Sequence, residues 1–234
     1  MSQARRAGAG PAMSRPARAR PGATPDRPTG AAATDAAADA SIADAADADA
    51  ALLARFAAGD ARAARTLTDR LGPRALAVAF RVLGDRTEAE DVAQEAMMRL
   101  WRVAPDWQPG QAQVATWLYR VVLNLCLDIR RRQRRRGGLA ALDSVPEPPD
   151  PAPGAAETLQ QAARADALQA ALMQLPERQR QAVVLRHLET LSNPEIAAIM
   201  DISVEAVESL TARGKRALAR ALAGRRAELG YDDG

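Results

Sequence analysis

Cysteine and histidine are almost missing from this chain: Cys126 is the one thiol and His187 the one imidazole among 234 residues. A lone cysteine excludes an intramolecular disulfide and a cysteine-rich metal site. His187 has no Cys or second His near it in sequence and reads as a packing or surface residue. Aromatic residues make up only 3% of the chain, so any core must rest on Leu, Val, Ile, Ala and Met. No apolar run approaches the ~20 residues of a membrane span, and no apolar signal core lies near residue 1. The expectation is a soluble cytoplasmic protein with no direct membrane insertion. No Gly-rich loop precedes a Lys-Ser or Lys-Thr pair, which removes the phosphate-loop reading. With no catalytic constellation, no metal site and no cofactor site, an enzyme is not expected. Strand-like alternation is also lacking throughout, which leaves an all-α fold.

What is present divides by composition. Residues 1–30 hold six Arg and one Asp, and residues 31–50 hold five Asp and no Arg. Such a stretch cannot bury enough apolar surface to offset chain entropy. Residues 1–49 are therefore expected to form a disordered, solvated tail, with Met13 an alternative start. The remainder is long enough for two small helical domains. The first, over 50–136, begins with a helical pair around Gly59-Asp60, ending at Leu71, and a helix from Pro73 to Leu83. Asp85-Arg86-Thr87-Glu88 has the spacing of a capping box. The helix from Arg86 to about Val103 buries Ala89, Val92, Ala93, Ala96, Met97 and Leu100. A helix from about Gln113 to Arg135 carries Val114, Trp117, Leu118, Val121, Val122, Leu125, Cys126 and Ile129. Pro146, Pro148, Pro149, Pro151 and Pro153 mark a flexible linker over 137–156. A second helical domain follows over 157–229.

The segment from Leu175 to Leu218 carries the clearest signal. Ser192-Asn193-Pro194-Glu195 predicts a capped helix start, with Ser192 and Glu195 capping reciprocally. Asp201-Ile202-Ser203 makes a turn, and Ser203 can cap the next helix. That helix places Val204, Val207, Thr211, Gly214 and Leu218 on one stripe. Glu205, Glu208, Ser209, Arg213, Lys215 and Arg216 lie on the other faces. Two short helices with a tight turn, the second apolar behind and polar in front, suit docking in a DNA major groove.

The formal net charge of +3 conceals a local concentration: residues 130–136 hold six Arg in seven positions. Guanidinium groups that close repel one another unless an anion is near, and a phosphate backbone would relieve them. Arg130, Arg131 and Arg134 are candidates for that contact. Just upstream stand Trp117, Tyr119, Arg120 and Asn124. Rings on which bases stack, beside amide and basic groups, are what a single-strand site needs. Trp117 and Tyr119 lie about 200° apart on one helix, so at least one is expected to be exposed or partly exposed.

Glu90-Asp91-Val92-Ala93-Gln94-Glu95 with Arg99-Leu100-Trp101, Thr116-Trp117-Leu118-Tyr119-Arg120 with Asn124 and Asp128, Leu175-Pro176-Glu177-Arg178-Gln179-Arg180, and Glu195-Ile196-Ala197 occur in that order around a Pro-rich linker. Together they resemble the extracytoplasmic-function (group IV) sigma factors of bacterial RNA polymerase. The resemblance implies a transcription initiation factor that binds core polymerase and directs it to promoters. It assigns Asp91, Gln94, Glu95, Arg99 and Trp101 to core binding and the Trp117–Arg134 helix to the −10 element. It assigns the Val204 helix to the −35 element. It further implies an anti-sigma partner with a membrane span, and a stress or signal response. Where many relatives carry basic residues around a Ser in the recognition helix, this chain has Glu208-Ser209-Leu210. A glutamate there can accept from cytosine N4 but not contact phosphate favourably. The alternative is a stand-alone helix-turn-helix regulator, which leaves the 86–103 helix and the Arg-ended helix without a role. A nuclease holding metal on the acidic residues of 85–95 lacks supporting His or clustered Asp.

Overall fold

In the computed structural model, residues 47–108, 110, 113–135 and 155–223 are described. Most of the expected tail and linker, Arg136 and the last residues of the second block lie outside them. Residues 47–49, assigned above to the tail, instead open the first helix, α1, over 47–57. The described residues contain helices and turns and no strand.

Gly59, at φ +96°, turns the chain out of α1. Asp60 then caps α2 (Ala61–Leu83), its carboxylate accepting from the backbone N–H of Arg62 and Ala63. The sequence predicts a break before Pro73, yet α2 runs through it. Proline removes one intrahelical hydrogen bond, a local cost. Leu67, Leu71, Ala75, Val78 and Val82 form one continuous buried stripe across it, and their burial on both sides of Pro73 outweighs the lost bond. Gly84, at φ +76°, closes α2 by donating to Phe80 O.

Asp85 caps α3 (Arg86–Val103), accepting from Glu88 N at 2.8 Å. The reciprocal half of the expected capping box is replaced. The Glu88 carboxylate accepts from Gln133 Nε2 of α4 at 2.8 Å and 3.1 Å. The six apolar residues expected to be buried in α3 are its buried residues. A short 3-10 turn, Ala104–Asp106, leads toward α4 (Val114–Arg135). Helices α2, α3 and α4 pack pairwise around the first core.

In the second block, α5 (Ala155–Met173) precedes α6 (Glu177–Val183), which widens into a π-helical turn over Val184–Leu188. Thr190 follows in the left-handed region at φ +56°. Helices α7 (Asn193–Met200) and α8 (Val204–Ala223) complete the block. The capping box at Ser192 is present in both halves, with Glu195 Oε2 accepting from Ser192 N at 2.7 Å. Asp201, at φ +53°, ends α7, and Ser203 Oγ accepts from Ala206 N at 3.2 Å at the start of α8. Gly214 lets α8 approach α6: a Cβ there would lie 2.5 Å from Val183 Cγ2.

The two blocks touch directly. Helix α2 packs on α5 and α6, and α4 packs on α7. Arg180 of α6 is buried and donates to Val82 O at 2.6 Å and to Leu175 O at 3.1 Å. Gln169 Nε2 of α5 donates to Phe80 O at 3.1 Å. Side chains of the second block thus satisfy carbonyls at the C-terminus of α2, where the helix dipole also favours a cation.

Candidate nucleic-acid interface

Helix α8 presents the simplest surface. Its buried residues are Val207 and Gly214, on the stripe facing the rest of the block. Glu205, Glu208, Ser209, Arg213, Lys215 and Arg216 are all exposed. Glu205 lies in the first turn, where its own backbone N–H and the Ser203 hydroxyl hold its carboxyl below the usual range. Arg213 Nε donates to Ser209 O one turn back at 3.2 Å. Glu208 Oε1 accepts weakly from Asn193 Nδ2 at 3.4 Å, which ties α8 to the first turn of α7. The row carries donors and acceptors in front and apolar contacts behind.

Helix α4 divides its candidate residues differently. Arg120 and Asn124 are exposed one turn apart. Trp117 is half-buried, its ring edge-on to Trp107 with centroids 5.9 Å apart. Of the Trp117 and Tyr119 pair, Trp117 is the partly exposed member and Tyr119 the buried one. Tyr119 is 1% exposed and its hydroxyl donates to Glu189 Oε2 at 2.6 Å. Arg74 lies over the ring, 5.8 Å from its centroid, and reaches the same carboxylate at 3.4 Å. Burial, and then the Glu189 carboxylate, drive the phenol well above its ordinary pKa, so it stays a donor. Leu123, one turn on, is buried as well, while Trp117, Val121, Leu125 and Ile129 are only half-buried. The second block covers a face of α4 that the apolar periodicity does not mark.

The Arg run is also partly committed. Arg130 donates to Leu83 O and reaches Val82 O, helping to cap α2. Arg134 pairs with Glu177 at the start of α6. Arg131 stays exposed, with Asp128 at 3.7 Å. Of the candidate residues on α4, Arg120, Asn124 and Arg131 are open to solvent, while Tyr119 and Arg134 are engaged by carboxylates of the second block.

On α3, Asp91, Gln94 and Arg99 are exposed and Glu95 is half-buried on the same face. Arg99 Nε donates to Glu95 Oε1 at 2.8 Å, and Arg102 stands 3.6 Å away. The Arg99 hydrogen bond, against a smaller opposing effect of burial, holds the Glu95 carboxyl below the usual range. Trp101 is half-buried against Phe56, with ring centroids 4.7 Å apart. Among the described residues, Met98 is the large apolar side chain most open to solvent, at 39%. It borders a shallow groove with Leu76, Met97 and Trp101, edged by Glu90 and Gln94. Sequence periodicity does not single out Met98. An apolar residue one turn after Gln94, on the polar side of α3, is the signal that marks it.

Comparison with known proteins places the chain among relatives. The Sigma-70 region 2 family matches residues 67–136, and the Sigma-70 region 4 family matches residues 165–218. The chain is 33% identical to the RNA polymerase sigma-H factor of Pseudomonas aeruginosa, over 73% of this chain and 92% of that protein. It is 33% identical to the RNA polymerase sigma factor CnrH of Cupriavidus metallidurans, over 73% and 92%. It is 37% identical to the ECF RNA polymerase sigma factor SigE of Mycolicibacterium smegmatis over 60% of this chain, and the match spans only 54% of that protein. Among solved structures, CnrH in complex with the cytosolic domain of CnrY aligns with a TM-score of 0.56 at 30% identity, covering 76% of this chain and 99% of that one.

Proposed function

The chain belongs to the extracytoplasmic-function (group IV) sigma factors, transcription initiation subunits that direct RNA polymerase to promoters, and from that premise we propose how its own surfaces divide the work. The first domain, over 50–136, docks on core polymerase through Asp91, Gln94, Glu95, Arg99 and Trp101 of α3, with Met98 adding apolar contact. Its α4 engages the −10 element. Asn124 hydrogen-bonds the edge of an unstacked base and Arg120 holds the neighbouring phosphate. Trp117 offers a ring for stacking, Tyr119 offers a second only when the second block moves off α4, and Arg130, Arg131 and Arg134 follow the backbone. The second domain, over 157–229, lays α8 in the major groove of the −35 element. Arg213 and Ser209, one turn apart, reach base edges, and Lys215 and Arg216 contact phosphates and set register.

The observation that carries this reading is the exposed polar row of α8 backed by a buried apolar stripe. It is joined in the same chain to a second exposed basic and amide face on α4. A duplex-reading helix and a single-strand-reading helix on one chain are what promoter recognition followed by strand opening requires. The protein acts as a specificity subunit in the cytoplasm and is not itself an enzyme. Among the described residues no helix is long and apolar enough to cross a membrane. A membrane-anchored anti-sigma protein is its regulatory partner. In support, the relative CnrH is solved with the cytosolic domain of CnrY.

Run-off transcription on genomic DNA tests the proposal, using purified core polymerase with and without the protein. Discrete transcripts whose start sites share one −35 and one −10 sequence are expected only when the protein is present. Identical transcript profiles with and without it would refute the proposal.

A further inference from the structure

Two groups of the α4 candidate interface are occupied by carboxylates of the second block. The Tyr119 hydroxyl donates to Glu189, 70 positions away in sequence, and Arg134 pairs with Glu177. A carboxylate presented to a guanidinium and a phenol offers the same chemistry as a DNA phosphate: two anionic oxygens accepting charge-assisted hydrogen bonds. Glu189 does more than touch Tyr119. With Arg74 beside it, it closes a buried polar contact that keeps the ring from any base.

Buried apolar residues of both blocks join in one core, and the polar part of the contact is imperfectly paired. Glu177 Oε1, Arg180 Nε and Gln169 Oε1 are buried without hydrogen-bond partners. Each such group is costly to keep from water and regains its hydration when the blocks part. Thr190, directly after Glu189, holds a β-branched side chain at φ +56°, a conformation that stores strain at the turn presenting the glutamate. Against these costs stand the Tyr119–Glu189–Arg74 cluster and the Arg134–Glu177 pair. Arg134 is largely exposed in that pair, and exposed ion pairs contribute little.

We infer that Glu177 and Glu189 act as internal competitors for DNA, holding the free protein in a closed form in which Tyr119 and Arg134 cannot reach the −10 strand. This rests on the proposed role of α4 and adds to it a self-masking contact made by the chain itself. If about nine molecules in ten are closed, apparent affinity for single-stranded DNA falls roughly tenfold below that of the open form.

The test uses the full-length protein and a double variant, Glu177→Gln with Glu189→Gln. Asp166→Asn with Asp201→Asn makes the same charge change at exposed positions of the second block. The probe is a fluorescent single-stranded DNA of mixed sequence, about a dozen nucleotides long, enough for one site. Small-angle scattering reports the radius of gyration of each protein without DNA. The Glu variant is expected to expand and to bind the strand roughly tenfold more tightly than the Asp control. Failure to expand would show that the glutamates do not hold the closed form. Expansion with affinity equal to the control would show that the closed form does not mask DNA. Either result overturns the inference. Run-off transcription with core polymerase separates it from the functional reading: a tenfold gain on single strands from a protein that directs no transcript would refute promoter recognition and leave the masking contact standing.

Discussion

Alanine in place of Gly214 sets local helix preference against tertiary packing. Gly214 lies within α8 and is buried. In an exposed helix interior, Gly→Ala stabilises by about 1 kcal/mol. Here a Cβ would meet Val183 Cγ2 at 2.5 Å, Gln179 O at 3.2 Å and Leu175 Cδ2 at 3.3 Å. Carbon atoms in ordinary contact stand at about 3.5–4.0 Å, so the overlap with Val183 is close to 1 Å. Val183 cannot swing aside, being 2% exposed and β-branched in a helix, where one rotamer dominates. Gln179 O is backbone and cannot yield either. Relief must come from separating α8 and α6, and overpacking of this kind costs about 1–3 kcal/mol. Subtracting the propensity gain leaves a net loss centred near 1 kcal/mol and reaching about 2. Urea unfolding of Gly214→Ala, Val183→Ala and the double variant measures it. The double variant should be more stable than the sum of the singles allows, by about 1 kcal/mol, because Val183→Ala opens the space that the new methyl needs. A Gly214→Ala protein more stable than the parent would refute the close approach of α6 and α8, and with it the seating of α8.

Arg213→Ala should cost about 1–3 kcal/mol on a preferred promoter and relax preference at one base pair, whereas Lys215→Ala should weaken all promoters alike and lower the salt slope by about one. A base-by-base promoter library at several salt concentrations distinguishes the two. Asn124→Ala should impair strand opening more than duplex binding, read as weaker permanganate reactivity of the −10 strand at equal occupancy. Asp91→Ala with Glu95→Ala should reduce co-elution with core polymerase while circular dichroism stays unchanged. Burial pushes the Cys126 thiol up to about 12, so the folded protein should resist alkylation at mildly alkaline pH and react only as it unfolds. Because the folded state retains this proton longer than the unfolded chain, stability should fall as pH rises above the ordinary thiol value. A Cys126→Ser variant should lose that portion of the slope.

Short-range chemistry made much of this molecule legible from its residues. Ser192 and Glu195 cap each other across three positions, and the helix start they imply is where α7 starts. The buried face of α3 follows from spacing alone, because a single neighbouring layer covers a single stripe. The exposed row of α8 is legible for the same reason. Pro73 misleads because its cost is local, while the stripe that carries α2 through it gains its energy from other helices. Glu88 has the spacing of a capping partner, but Gln133 of α4, 45 positions away, takes its carboxylate.

The same division runs through the candidate interface. Sequence by itself determined which residues of α4 could meet nucleic acid: a ring, an amide and a run of guanidinium groups at helical spacing. Only the tertiary structure decided which of them are free. Helix α4 is covered on a second face by the block containing α7, so Tyr119 is buried against Glu189 and Arg134 is paired with Glu177. Periodicity shows that a face is apolar or polar, since that depends on residues three and four apart. Which distant element comes to cover a polar face depends on how whole helices pack, and no spacing within α4 encodes it.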